Sequence, residues 1–201
     1  MFGRRRLLIG LLVALPLAYA SVASAQVVQT SVGAPFSLFA NRDFSAWLQQ
    51  GNANWQIVDG QALMDQGAGW LVGRLPLADF DLDMEYWLDS QAQASLYIRC
   101  VDSAFISDQT AYMFNLGTGT IQDYGPGSNV PLLRATKLKT AERWNTVRMT
   151  ARGPYLSIWL NGQHVADKVY DTRFARGPFA LHVADGAFRI RKLNVTIPGR
   201  W

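Results

Sequence analysis

From residue 36 onward, apolar and polar residues alternate in short runs, and no stretch repeats with the 3.6-residue period of a long helix. The clearest run is Phe80–Leu88. Phe80, Leu82, Met84, Tyr86 and Leu88 share one parity, and Asp81, Asp83, Glu85 and Trp87 share the other. A strand presents successive side chains to opposite faces, so this segment predicts one face on a core and one toward solvent. Residues 95–101 repeat the pattern, with Leu96, Ile98 and Cys100 set against Ser95, Tyr97 and Arg99. Residues 111–116 follow with Tyr112, Phe114 and Leu116 as the inward set. Residues 144–151 and Tyr155–Leu160 are further strands. Asn161-Gly162 then separates Trp159-Leu160 from His164-Val165, and Asn-Gly between apolar segments predicts a tight hairpin with both turn residues at positive φ. In the last strand, Phe188 and Ile190 have one parity and Leu193, Val195 and Ile197 the other. That phase shift predicts a β-bulge at Arg191-Lys192. Ten to twelve short strands with this spacing imply an all-β, two-sheet antiparallel sandwich or jelly roll. The longest expected loop covers residues 123–139.

The first 25 residues read differently. Arg4, Arg5 and Arg6 precede an apolar run at residues 7–20, and Ala23-Ser24-Ala25 supplies a small-residue cleavage site. That order describes a secretory signal peptide, and the apolar run of about 14 residues falls short of the roughly 20 that a membrane span needs. The expected organisation is therefore a leader at 1–25, a flexible lead-in at 26–35 and one sandwich domain at 36–198. The protein would be exported, periplasmic or secreted, with no membrane attachment after cleavage. Removing the leader takes away three arginines and no acid. The remaining 16 basic and 15 acidic residues leave a net charge of +1. No Lys/Arg stripe marks a nucleic-acid surface. Cys100 is the only cysteine, so no internal disulfide framework exists, and its apolar neighbours predict a buried structural thiol. Nothing in the spacing of Cys and His suggests a metal site. No cofactor is expected, a metal ion stays open as an alternative without sequence support, and the oligomeric state stays open.

Several segments, taken in order, resemble the 3-keto-disaccharide hydrolase family. They are Ser37-Leu38-Phe39 with Asp43-Phe44-Ser45-Ala46-Trp47, then Trp55-Gln56-Ile57-Val58-Asp59-Gly60, then Asp79-Phe80-Asp81-Leu82-Asp83-Met84-Glu85-Tyr86. Tyr97-Ile98-Arg99, Arg143-Trp144-Asn145, Trp159-Leu160-Asn161-Gly162, Gly177-Pro178-Phe179-Ala180-Leu181 and Phe188-Arg189-Ile190-Arg191 continue the series. The resemblance implies a concanavalin-like jelly roll with one concave, sugar-holding sheet, and cleavage of a glycosidic bond in an oxidised sugar. Two polar family positions are apolar here. Met113 stands where the family shows an acid, and Ala184 where it shows a histidine, with His182 nearby.

Candidate site residues follow from parity and resemblance together. Glu85 and His182 are the candidate catalytic residues: Glu85 matches the family's acid, and a histidine titrates near neutral pH. Tyr97, Arg99, Asn115 and Trp87 are the candidate substrate-binding residues. In this reading Glu85 beside Arg99 hydrogen-bonds adjacent sugar hydroxyls, and an aromatic face such as Trp87 stacks on the ring. A solvated strand face would give Asp81, Asp83 and Glu85 the same parity. Trp47, Trp55, Trp70 and Trp144 are expected to fill the core or edge the sandwich, and His164 to be exposed. Three functions stay open: a 3-keto-glycoside-cleaving enzyme, a non-catalytic carbohydrate-binding domain, and an interaction sandwich without a small ligand.

Overall fold

A computed structural model of the protein describes residues 32–39, 43–122 and 138–199. The expected leader, most of the lead-in and most of the 123–139 loop lie outside the described residues. Fourteen strands and no helix run through the described residues: β1 (Pro35–Ser37), β2 (Trp47–Gly51), β3 (Gln56–Val58), β4 (Gln61–Met64), β5 (Ala68–Gly73), β6 (Phe80–Leu88), β7 (Gln93–Ile98), β8 (Tyr112–Asn115), β9 (Thr120–Gln122), β10 (Arg143–Arg152), β11 (Tyr155–Leu160), β12 (Gln163–Tyr170), β13 (Ala180–Ala184) and β14 (Phe188–Thr196). They form two antiparallel sheets. One runs β12-β11-β10-β6-β14-β4-β3, with β1 added beside β14. The other runs β2-β5-β13-β7-β8-β9.

β6 lies in the middle of the eight-stranded sheet, paired on both sides with β10 and β14. Its inward set, Phe80, Leu82, Met84, Tyr86 and Leu88, is fully buried. Leu71, Leu96, Phe114, Leu181 and Val183 face them from the six-stranded sheet. Each such aliphatic or aromatic side chain contributes about 1.5–3 kcal/mol when taken out of water. The Tyr86 hydroxyl donates to the Leu116 carbonyl at 2.7 Å, which ties the two sheets together and satisfies a polar atom inside the core.

The Asn161-Gly162 turn has φ of 51° and 80°, so both residues occupy the left-handed region that the hairpin requires. β14 shifts register between Ile190 and Lys192, where the phase of the sequence changes. Trp47 and Trp55 are core residues. Trp70 and Trp144 are not: each lies on the outer face of its sheet, a correction to the expectation that they fill the core or edge the sandwich. Alternation along a strand separates in from out only where the strand's flanking parity is legible, and β5 is apolar on both faces.

Residues 95–101 do not form one strand. β7 ends at Ile98 because Arg99 has φ 55°, in the left-handed region. That bend reverses the parity, so Cys100 joins Tyr97 in a cluster outside the six-stranded sheet rather than following Leu96 and Ile98 inward. The thiol is buried there, and burial pushes its pKa up to about 12.

Candidate functional site

The register across the six-stranded sheet determines which side chains share its outer face. Gln50 opposes Trp70, Trp70 opposes His182, His182 opposes Ser95, and Ser95 opposes Asn115, which opposes Thr120. These six residues form one row perpendicular to the strands. Strands lie about 4.8 Å apart, so the row extends roughly 24 Å across the face. The adjacent row is Leu48, Val72, Ala180, Tyr97, Met113 and Gln122. Its centre is apolar and roofed over: Val72 and Ala180 are wholly buried although they point away from the core. The segment between β7 and β8 covers them, with Ile106 packed against the Tyr97, Met113 and Val72 cluster. The Gln50–Asn115 row is left as a polar lane at the foot of this segment.

Trp70 is the hub of the lane. Its ring centroid lies 4.3 Å from His182 and 5.0 Å from Tyr97. Ser95 and Tyr97 are 8% and 7% exposed, and His182 is half-buried. Among the described residues, none of the three side chains has a hydrogen-bond partner, and none of their polar atoms is sealed from solvent. Their polar atoms therefore face solvent with no protein hydrogen bond to break before a ligand is met. Burial lowers the His182 pKa, so its imidazole is neutral at pH 7 and free to accept a proton. Burial, and then the charge of nearby Asp108, push the Tyr97 phenol up to about 12, so it stays a donor. A base and an acid held in opposite protonation states beside one indole form a pair suited to proton transfer. Asn115 lines the lane with its backbone, but its Oδ1 accepts from the amides of Gly117 and Thr118 at 2.9 Å each.

The structure divides the sequence-derived candidates. His182 and Asn115 lie in the lane, and Tyr97 stands in the row beside it on the same face. Glu85 and Trp87 do not, because β6 belongs to the other sheet. Arg191 Nε donates to Glu85 Oε2 at 2.5 Å, and the Arg191 guanidinium lies 4.3 Å from the Trp144 ring. The Arg189 guanidinium covers Trp87 at 4.9 Å. Asp81 and Asp83 pair with Arg152 and Arg148. An open depression of about 340 Å³ on this outer face touches Asp83, Glu85, Arg148, Trp159 and Lys192, but its carboxylates already have arginine partners.

Arg99 joins neither set. It is 1% exposed, and its guanidinium donates to the Ala78 carbonyl at 3.0 and 2.7 Å and to the Phe174 carbonyl at 3.2 Å. The expected Glu85–Arg99 pair is therefore absent. Parity gave the outward direction correctly but not the sheet, and the left-handed bend at Arg99 turned that side chain into a corner. Sequence reasoning missed Trp70, Ser95 and Gln50 as lane residues. Trp70 lay in a short segment without clear alternation, and only cross-strand register brings the three together. Among the described residues, no three His, Cys, Asp or Glu side chains converge as metal ligands would.

Several solved structures with this fold carry descriptions that name a sugar-related role. A protein described as a glycosyl hydrolase from Parabacteroides distasonis aligns at a TM-score of 0.66 and 13% identity, covering 82% of this chain and 94% of its own. A carbohydrate-binding module from Bacillus subtilis aligns at 0.53 and 16% identity, covering 72% and 92%. A β-agarase A complexed with oligoagarose aligns at 0.52 and 9%, covering 73% and 76%. At these identities the likeness establishes the jelly-roll sandwich. No curated protein sequence matches this one. The model of the 3-keto-alpha-glucoside-1,2-lyase-like domain matches residues 35–196, which take in all fourteen strands, and the chain belongs to that family.

Proposed function

We propose that the lane on the six-stranded sheet binds a 3-keto-glycoside and that His182 starts its cleavage. A ketone at C3 acidifies the hydrogen on C2. Neutral His182 takes that proton, and the C2–H electron pair becomes a C1=C2 double bond as the C1–O bond breaks. The departing oxygen takes a proton from a hydroxyl in or beside the lane, with Ser95 or Tyr97 as the donor. Water then adds across the double bond, its hydroxyl to C1 and a proton to C2, which makes the net reaction a hydrolysis. Trp70 supplies a flat apolar wall for the pyranose ring. The protein would carry out this reaction after export, outside the cytoplasm.

The observation that supports this reading is the group Ser95, Tyr97 and half-buried His182, each with a polar atom open to solvent and none with a hydrogen-bond partner among the described residues. The family assignment supplies the substrate class. A non-catalytic carbohydrate-binding role is the second reading, favoured by Met113 and Ala184 at positions where the family shows an acid and a histidine. Incubating the protein with 3-keto-glucosides and following release of the alcohol separates the two. Turnover that His182→Ala removes supports the enzyme. Saturable sugar binding without turnover leaves the binding domain.

A further inference from the structure

We propose that the loop joining β7 and β8 gives this site an apolar leaving-group subsite, with Phe105 as the residue that selects an alkyl or aryl aglycone. The proposal rests on reading the lane as a glycoside site.

The loop, residues 99–111, is internally tied and fastened to the sheet. Val101 N donates to the Thr110 carbonyl at 2.9 Å, which closes its base. Asp102 Oδ1 accepts from the amides of Ala104 and Phe105 at 2.8 and 3.3 Å. The Thr110 hydroxyl donates to the Phe105 carbonyl at 2.7 Å and accepts from Ser107 N at 2.9 Å. Two contacts hold the closed loop against the outer face. Ile106 packs on the Tyr97 and Met113 cluster, and Gln50 Nε2 donates to the Ser103 carbonyl at 3.3 Å. Gln50 is the lane's end on β2, while the loop starts from β7, three strands away. The loop therefore reaches across the sheet along the lane's edge.

Phe105 lies between those two anchors. Consecutive Cα atoms are 3.8 Å apart, so its Cα is within about 7.6 Å of the Ser103 Cα that borders the lane. The residue is 76% exposed although its backbone is held by side-chain hydrogen bonds on both its N–H and its C=O. A backbone fixed in this way displays the ring instead of burying it. Val101, at the loop base, is 57% exposed, and Leu48, next to Gln50's strand position on the same face, is 38% exposed. Three of the seven exposed large apolar residues among the described ones thus border this one loop and lane. The lane itself offers the polar side chains of Gln50, His182 and Ser95. A ligand that matches both is polar at the sugar and apolar in the group joined to it.

The test compares cyclohexylmethyl and methyl 3-keto-glucosides, whose leaving alcohols have similar acidity. Alcohol release gives kcat/KM, and tryptophan fluorescence gives Kd. Wild type is expected to prefer the cyclohexylmethyl compound about tenfold, the scale at which an apolar pocket discriminates. Phe105→Ala should bring the ratio to within twofold while the methyl compound is handled as before. Gln50→Ala, which frees the loop, should also weaken the preference. Equal handling of both compounds by wild type, or an unchanged ratio in Phe105→Ala, overturns the subsite and leaves the lane intact. Failure of wild type to bind or cleave either compound overturns the glycoside reading and the subsite with it.

Discussion

Arg99 provides a sharp test, because a sugar-binding arginine and a buried clamp respond to mutation in opposite ways. Its three hydrogen bonds run to two backbone carbonyls, Ala78 on the approach to β6 and Phe174 on the approach to β13. Asp79 adds a longer ion pair at 3.6 Å. Arg99→Ala removes all three bonds and strands both carbonyls. A hydrogen bond to a charged donor contributes about 1.5–3 kcal/mol, and the unpaired acceptors add their own desolvation cost. The left-handed φ gives no relief, since alanine is strained there as arginine is. Water entering the space left by the side chain would re-solvate part of the carbonyls and offset some of the loss, so the expected destabilisation is about 3–5 kcal/mol. For a domain of this size each kcal/mol shifts Tm by about 2–4 °C, which gives a fall of roughly 10 °C. Thermal melts followed by circular dichroism measure it directly. Lysine keeps the charge but not the forked geometry, so Arg99→Lys should recover less than half of the loss. A Tm within 2 °C of wild type in Arg99→Ala would refute the clamp, and lost sugar binding at unchanged Tm would return Arg99 to the site.

Other expectations follow from the same geometry. His182→Gln should cut turnover of 3-keto-glucosides by about 10²–10⁴ while leaving Tm unchanged, the scale of a lost general base. Because burial lowers the His182 pKa, the unfolded chain binds this proton more readily than the native one. The histidine's contribution to stability is thus intact above the unfolded value of about 6.5 and is lost as pH falls below it toward the native pKa; His182→Gln should flatten that part of a stability–pH curve. Trp70→Ala should weaken saccharide affinity, read by calorimetry, far more than Trp87→Ala, whose ring is covered by Arg189 on the other sheet. Cys100 should resist Ellman's reagent in the native protein and react at once in denaturant, since it is 2% exposed with a raised pKa. Gly162→Ala should cost about 1 kcal/mol in urea titrations, because φ there is 80°.

Much of the architecture was legible in the chain. The alternation in Phe80–Leu88, the Asn161-Gly162 turn and the phase shift before Lys192 are local properties, and local sterics and side-chain alternation dictate strand faces, tight turns and bulges. The ordered motifs carried the family as well. The site was legible only in part. Tyr97, Asn115 and His182 were picked out by parity or chemistry, but parity is a property of one strand. It says that Glu85 and Tyr97 both point outward and is silent on the sheet each belongs to. Cross-strand register, set by hydrogen bonds between segments up to about a hundred residues apart, decided that Trp70, His182 and Ser95 stand side by side while Glu85 pairs with Arg191. One backbone angle at Arg99 turned a candidate ligand into a buried clamp. Short-range patterning determined the strands; only their assembly into two layers determined which residues share a face.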